Sequence, residues 1–175
     1  AAATAARAAA RAAAAAGAAR AAEARPIRAV TGGGGGPIVL FVVQPGETNT
    51  VDQRMLEVAL WENHGIPVVC ASLAEVHDGM TLDESTGRLT FVEGADAVSD
   101  ATAREVVVVY FRAGYAPTDY PSGDRGSEWL AREMLERGRA TKCPNLGYHL
   151  AGTKKVQQEL ARAGAVKRFF PDDGN

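Results

Sequence analysis

PIVLFVVQPGETNTVDQRMLEVALWENHGIPVVCA, residues Pro37–Ala71, is the stretch that decides the fold. It opens with Pro37–Gln44, a continuous apolar run rich in Val, which suits a strand buried on both faces. Asp52–His64 then reads as a helix. Met55, Leu56, Ala59 and Leu60 form its expected apolar stripe, and Gly65 supplies a C-cap. Ile66–Ala71 is a second short apolar strand. Strand, helix and strand in such a short span make a βαβ unit. Its strands are expected to be parallel, because a helical crossover returns the chain to the same sheet end.

Outward from this unit the pattern continues. Leu73–Val98 alternates weakly and carries a Ser85-Thr86-Gly87 turn, so it reads as a small hairpin excursion. Glu105–Phe111, EVVVVYF, reads as the most strongly buried strand, since four consecutive valines in the open would invite aggregation. Ser127–Arg137 reads as a helix with Trp129, Leu130, Met134 and Leu135 inward. Two further helical pieces are expected at about Pro144–Leu150 and Thr153–Ala163. The expected fold is a three-layer α/β/α, Rossmann-like domain with a mainly parallel sheet.

The chain has 175 residues, but 18 of the first 25 are alanine and a glycine run follows at Gly32–Gly36. A helix built from this lead would have almost nothing to bury and would be marginal in water. Residues 1–36 therefore read as a low-complexity linker or insertion, with a transit remnant as the alternative. The domain is assigned to 37–170 and a tail to 171–175. The glycines precede a strand, which excludes a phosphate loop, since that needs a strand before and a helix after. The lead carries five Arg and one Glu; residues 36–175 carry 14 basic and 20 acidic side chains. The net charge of −2 gives no reason to expect nucleic acid. No apolar run is long enough to span a membrane. Two cysteines 73 positions apart make neither a disulfide framework nor a zinc site.

Ligands of open parallel sheets bind beyond the carboxyl ends of the strands. If the first strand and the valine strand are parallel, two polar loops emerge there, Pro45–Val51 and Arg112–Tyr120. Arg112 could grip a carboxylate through its planar fork, or close the sheet edge as an ion pair. Tyr115 could offer its hydroxyl to a ligand or pack its ring on the rim. Thr50 and Gln53 have capping-box spacing, with Asn49 as an alternative N-cap, and Glu47 is placed to receive an ammonium group. Lys154 and Lys155 read as solvated helix lysines. His64, His77 and His149 share no metal-ligand spacing. Cys70 reads as an inert core residue, and Cys143 as a loop thiol with no evident base. Asp83, Glu84, Glu93 and Asp96 read as a solvated face. No nucleophile–base pair is visible.

VVQPGETNTVDQR (Val42–Arg54), VVYFRAGYAPTDYPS (Val108–Ser122) and KCPNLGYHLAGTKKVQQELA (Lys142–Ala161) resemble eukaryotic-type glutathione synthetase. The likeness is to its substrate-binding domain, more to the plant-like branch, over roughly Pro37–Phe170. It implies an ATP-dependent, magnesium-assisted ligase of the ATP-grasp class. In that reaction γ-glutamylcysteine is activated as an acyl phosphate and joined to glycine, releasing glutathione, ADP and phosphate. The resemblance places Glu47, Thr48, Asn49, Gln53, Arg112, Ala113, Gly114 and Tyr115 on the dipeptide and Lys154 on ATP. No catalytic residue and no metal ligand is expected within this segment; the Mg2+-binding acids and the glycine-rich lid are expected elsewhere in a longer polypeptide. The segment alone is expected to bind substrate poorly and not to catalyse.

Three departures stand out. Ala113 has no polar side chain where animal relatives carry an acid, Ser122–Gly126 lengthens a loop, and the chain stops at Asn175. The competing expectations are a stand-alone γ-glutamyl-peptide-binding module and a purely structural α/β domain. The resemblance also implies a homodimer in cytosol or plastid, and leaves glycine or β-alanine as the acceptor.

Overall fold

A computed structural model of the chain describes residues 28–30, 36–92 and 103–171. Its strands are β1 (Arg28–Val30), β2 (Ile38–Val42), β3 (Val68–Ala71), β4 (Met80–Asp83), β5 (Arg88–Val92), β6 (Ala103–Phe111) and β7 (Thr141–Cys143). The helices are α1 (Val51–His64), α2 (Leu73–Gly79), α3 (Ser127–Arg137), α4 (Leu146–Ala151) and α5 (Lys154–Leu160). Short 3-10 turns lie at Pro117–Asp119 and Val166–Arg168.

One sheet runs β1-β3-β2-β6-β5-β4, with β7 also paired to β6. The central strands β3, β2, β6 and β7 are parallel; β1, β5 and β4 add antiparallel partners. β6 is long enough for two neighbours on one edge, β5 against its first half and β7 against its second. The β2–α1–β3 unit is therefore the parallel crossover expected from Pro37–Ala71.

Every residue of β2 is buried, and the pleat sends alternate side chains to two cores. Val39 and Phe41 join Val68 on one face, beneath Leu60 of α1 and Ile66. Ile38, Leu40 and Val42 face the larger core, which includes Leu73 and Val76 of α2 and Ala131 and Leu135 of α3. Helices thus cover both faces, giving three layers. Gly65, at φ 62°, ends α1 with its N–H on the Trp61 carbonyl, and the Ile66 N–H reaches the Leu60 carbonyl. Leu60 and Ile66 then share one apolar cluster, the contact that accompanies such a left-handed cap.

Several expectations are corrected. Met55 and Leu56 are exposed, and α1 turns Gln53 and Glu57 inward instead. Glu57 tolerates burial because Arg54 pairs with it at 2.7 Å and the Cys70 thiol donates to it at 3.0 Å. Counting apolar residues selected the wrong stripe because it ignored this pairing; Cys70 is also not inert packing. On α3 the buried stripe is Glu128, Ala131, Arg132 and Leu135, while Trp129 and Leu130 are exposed. Trp129 stacks on Tyr120 with ring centroids 4.0 Å apart.

The valine strand is less buried than β2, with Val107 exposed. Leu73–Gly79 is a helix rather than part of the hairpin. The capping box lies at Ser72 and Glu75, and not at Thr50 and Gln53, where Thr50 makes no side-chain cap. Beyond it β4 and β5 form the expected hairpin, turning at Gly87 with φ 71°. Arg28–Val30, inside the stretch read as linker, pairs with β3. Readings that rest on residues 1–27, 31–35, 93–102 and 172–175 lie outside the described residues.

Candidate functional site

β2 and β6 are adjacent and parallel, with Val42 opposite Phe111. Their carboxyl ends therefore release both expected loops on the same side of the sheet. The second loop starts pinned: the N–H groups of Arg112 and Ala113 both donate to the Val42 carbonyl, at 2.8 and 3.0 Å. The first loop folds into a turn, with the Glu47 N–H on the Gln44 carbonyl at 3.3 Å and Gly46 at φ 70°.

Arg112 stands at the junction of loop and helix. Its guanidinium pairs with Asp52 in the first turn of α1, and its side chain keeps a quarter of its surface exposed. Its pKa is raised further, first by the Tyr110 hydroxyl and then, against a smaller penalty from burial, by the Asp52 charge. The group is a permanent cation. Gln53, the next residue after Asp52, is 5% exposed, and its Nε2 has no hydrogen-bond partner among the described residues. A buried amide donor left unsatisfied is costly, so Gln53 is poised for an acceptor. Glu47 accepts the Asn49 N–H on Oε1 at 2.8 Å; Thr48 and Asn49 are exposed, and Asn49 is not the N-cap.

The second loop is curled around Asp119. Its Oδ2 accepts the N–H groups of Gly114, Tyr115 and Ala116 at 2.9, 3.1 and 3.1 Å, while Oδ1 accepts from Gln44 Nε2 at 3.2 Å. Gly114, at φ 95°, has its carbonyl held by the Tyr120 hydroxyl at 2.8 Å and by Arg132 Nη1 at 3.4 Å. Ala113 is buried in the core, so its methyl cannot reach a ligand. Tyr115 is 64% exposed, with its ring edge-on to His149.

Behind the loop, buried Arg132 lies 4.0 Å over the Phe111 ring. It donates through Nη2 to Glu136 at 2.8 Å and to His149 Nδ1 at 3.0 Å. Nδ1 must accept there, which leaves the His149 proton on Nε2. Burial, then the Arg132 charge, lowers the His149 pKa.

Lys154 stands apart at the start of α5, exposed, with its Nζ 3.5 Å from Gln157 Oε1. It is hydrogen-bonded to neither loop. The two loops are thus brought side by side by the sheet, with Gln53 in the helix turn that follows the first. Asp52, Gln44, Asp119 and Arg132 escaped the sequence reading. Asp52 had a sequence signal, as an acid in a first helical turn; Gln44 and Arg132 gain meaning from contacts distant in sequence, and Asp119 from amides of its own loop together with the distant Gln44. Two open depressions flank α3, one lined by Met80 and Met134, the other by Trp129 and Leu146, and neither is lined by a residue of Pro45–Val51 or Arg112–Tyr120. Among the described residues, no group of three or more His, Cys, Asp or Glu stands where a metal ion could be held. None of their helices is long and apolar enough to cross a membrane.

A family model described as eukaryotic glutathione synthase matches residues 37–151. The chain is 41% identical over 136 residues to glutathione synthetase of Dictyostelium discoideum, covering 78% of this chain and 26% of that protein. It is 44% identical over 133 residues to the chloroplastic glutathione synthetase of Arabidopsis thaliana, covering 76% of this chain and 22% of that protein. With glutathione synthetase of Homo sapiens the identity is 39% over 134 residues, covering 77% and 25%. The chain spans about a quarter of the length of the curated relatives it matches.

Proposed function

Because this chain belongs to the eukaryotic glutathione synthase family, we propose that it forms the dipeptide-binding wall of an ATP-dependent ligase. The complete enzyme transfers the γ-phosphoryl group of ATP to the C-terminal carboxylate of γ-glutamylcysteine. The glycine amine attacks that acyl phosphate and displaces phosphate, forming the peptide bond of glutathione. One observation carries this reading: two polar loops leave the sheet side by side at the ends of β2 and β6, and the Arg112 cation stands between them and the first turn of α1, where it pairs with Asp52.

The dipeptide carries carboxylates and an ammonium group, and each meets a suitable side chain. The Arg112 fork matches a carboxylate, with Asp52 as the internal partner that the ligand displaces. Gln53 Nε2 donates to a ligand oxygen and so satisfies its buried N–H groups. Glu47 attracts the ammonium group, and the exposed Tyr115 hydroxyl, with Thr48 and Asn49, supplies polar contacts at the rim. Gly114 contributes backbone, and Ala113 fills space beneath it.

Lys154 meets ATP only when the rest of the enzyme closes over this face, where a compact ammonium group stabilises phosphate charge. Magnesium would neutralise phosphate oxygens in such a reaction. The described residues offer no cluster to hold it. The exposed Val51, Met55, Leu56 and Val58 on the outer side of α1 support the reading that this domain is one part of a larger enzyme. The plant relatives are named chloroplastic, which supports a plastid setting.

The test is calorimetric titration of γ-glutamylcysteine into the complete enzyme, with an ATP-dependent glutathione assay on the same preparation. Binding and turnover are expected there, and no turnover from residues 1–175 alone. Absent dipeptide binding in the complete enzyme, or measurable turnover by the isolated segment, would sink the proposal.

A further inference from the structure

We propose that Asp119 is the positioning residue that sets the two substrate loops in register, an inference that rests on the dipeptide-binding reading above. Its side chain hydrogen-bonds within the second loop and also to Gln44, in the β2–α1 connection that runs into the first loop. Three successive amides, those of Gly114, Tyr115 and Ala116, converge on Oδ2. Oδ1 takes the Gln44 amide from the other loop. The Gln44 carbonyl in turn holds the Glu47 N–H. One carboxylate therefore links the turn that presents Glu47 to the curl that presents Tyr115.

Tyr115 depends on this link. Its ring is largely in solvent, touches the His149 ring only edge-on, and its hydroxyl makes no hydrogen bond among the described residues. Its direction is set by its backbone. That backbone is gripped by Asp119 from the amide side and, at the Gly114 carbonyl, by Tyr120 and Arg132 from the other. Gly114 adopts φ 95°, a conformation that side-chain-bearing residues resist. Without the Asp119 grip the loop can relax toward other conformations and carry Tyr115 away. A ligand must then reorder it on binding, which weakens affinity.

The test uses the complete enzyme and measures the KM for γ-glutamylcysteine and for ATP separately in Asp119→Ala, Asp119→Asn and Gln44→Leu. Asp119→Ala is expected to raise the dipeptide KM roughly tenfold or more, with the ATP KM changed by less than about twofold. Asp119→Asn should recover most of the loss. Its oxygen can still accept the three amides, and its NH2 can donate to a flipped Gln44 carboxamide. Gln44→Leu removes only the inter-loop bond and should raise the dipeptide KM by a smaller factor.

An unchanged dipeptide KM in Asp119→Ala, or equal losses for Asp119→Ala and Asp119→Asn, overturns the proposal. If Asp119→Ala fails to fold, Gln44→Leu decides: an unchanged dipeptide KM there overturns it. Arg112→Ala is measured in parallel. If that variant also keeps the wild-type dipeptide KM, the functional reading itself has failed; if it alone is impaired, only the positioning role has.

Discussion

Replacing Arg112 with alanine separates ligand binding from stability, because the structure assigns the two effects very different sizes. In the free domain the Arg112–Asp52 pair is partly exposed, with side chains at 25% and 46% of full accessibility. Pairs of that kind contribute about 0–1 kcal/mol, since solvent screens them. For a chain of this size the melting temperature should fall by at most ~4 °C. On the proposed function, the same guanidinium faces a ligand carboxylate in the bound state, with less water around it. Losing one partner of such a pair costs about 2–5 kcal/mol, and the residual exposure of Arg112 favours the lower end. That corresponds to a dissociation constant for γ-glutamylcysteine weakened roughly 30-fold or more.

Asp52→Asn should act in the opposite sense. It removes the carboxylate that the ligand displaces, so affinity should rise by up to ~5-fold, the equivalent of about 1 kcal/mol. Calorimetric titration of the complete enzyme reads both affinities, and differential scanning calorimetry reads both melting temperatures. An Arg112→Ala variant with wild-type affinity would refute the ligand role. An Asp52→Asn variant as impaired as Arg112→Ala would refute the competitor argument, and would show that Asp52 serves to aim the guanidinium.

Gly138→Ala should destabilise the fold by about 1–3 kcal/mol through overpacking, since a Cβ there would lie 2.4 Å from Cδ1 of the fully buried Leu89. Urea midpoints should also show the double variant with Leu89→Ala less destabilised than the two single changes added together. The folded-state pKa of His149 lies below the ordinary 6.5. Its contribution to stability should therefore be full above that value and decline as pH falls through it, because the unfolded chain takes up the proton first. Melting temperatures at about pH 7.5 and about pH 5.5 should differ less in His149→Gln than in wild type; an equal difference would exclude His149 as the cause. The hydroxyls of Ser85 and Thr86 hold the Asp83 carboxyl down to about 2. The hairpin turn should accordingly stay intact well below the ordinary carboxylate range and loosen as pH falls through that value. A carboxyl carbon titration by NMR with a midpoint near the ordinary carboxylate value would contradict this.

Pro37–Ala71 determined the architecture by itself. A two-sided apolar strand has only one stable environment, a sheet covered on both faces, and the helix between two such strands forces them parallel. The place of the first loop followed from that, whereas the second joined it only because β6 pairs parallel to β2. The residues of the loops were legible from the change of pattern: Arg112 directly follows the valine strand, and Glu47 lies in the polar stretch that succeeds the Pro37–Gln44 run. What the tertiary structure alone decided is which polar groups are buried and what they hold. Gln53 and Glu57 sit where an apolar stripe was expected on α1, and Glu128 and Arg132 do the same on α3. Periodicity assigns the inward face by hydrophobicity, whereas a charged group can lie inward once it is paired, as Glu57 is with Arg54 and Arg132 with Glu136 one turn away on the same helix. Asp119 shows both kinds of contact: its Oδ2 gathers amides from its own loop, whereas its bond to Gln44, 75 residues earlier, exists only because two parallel strands are paired.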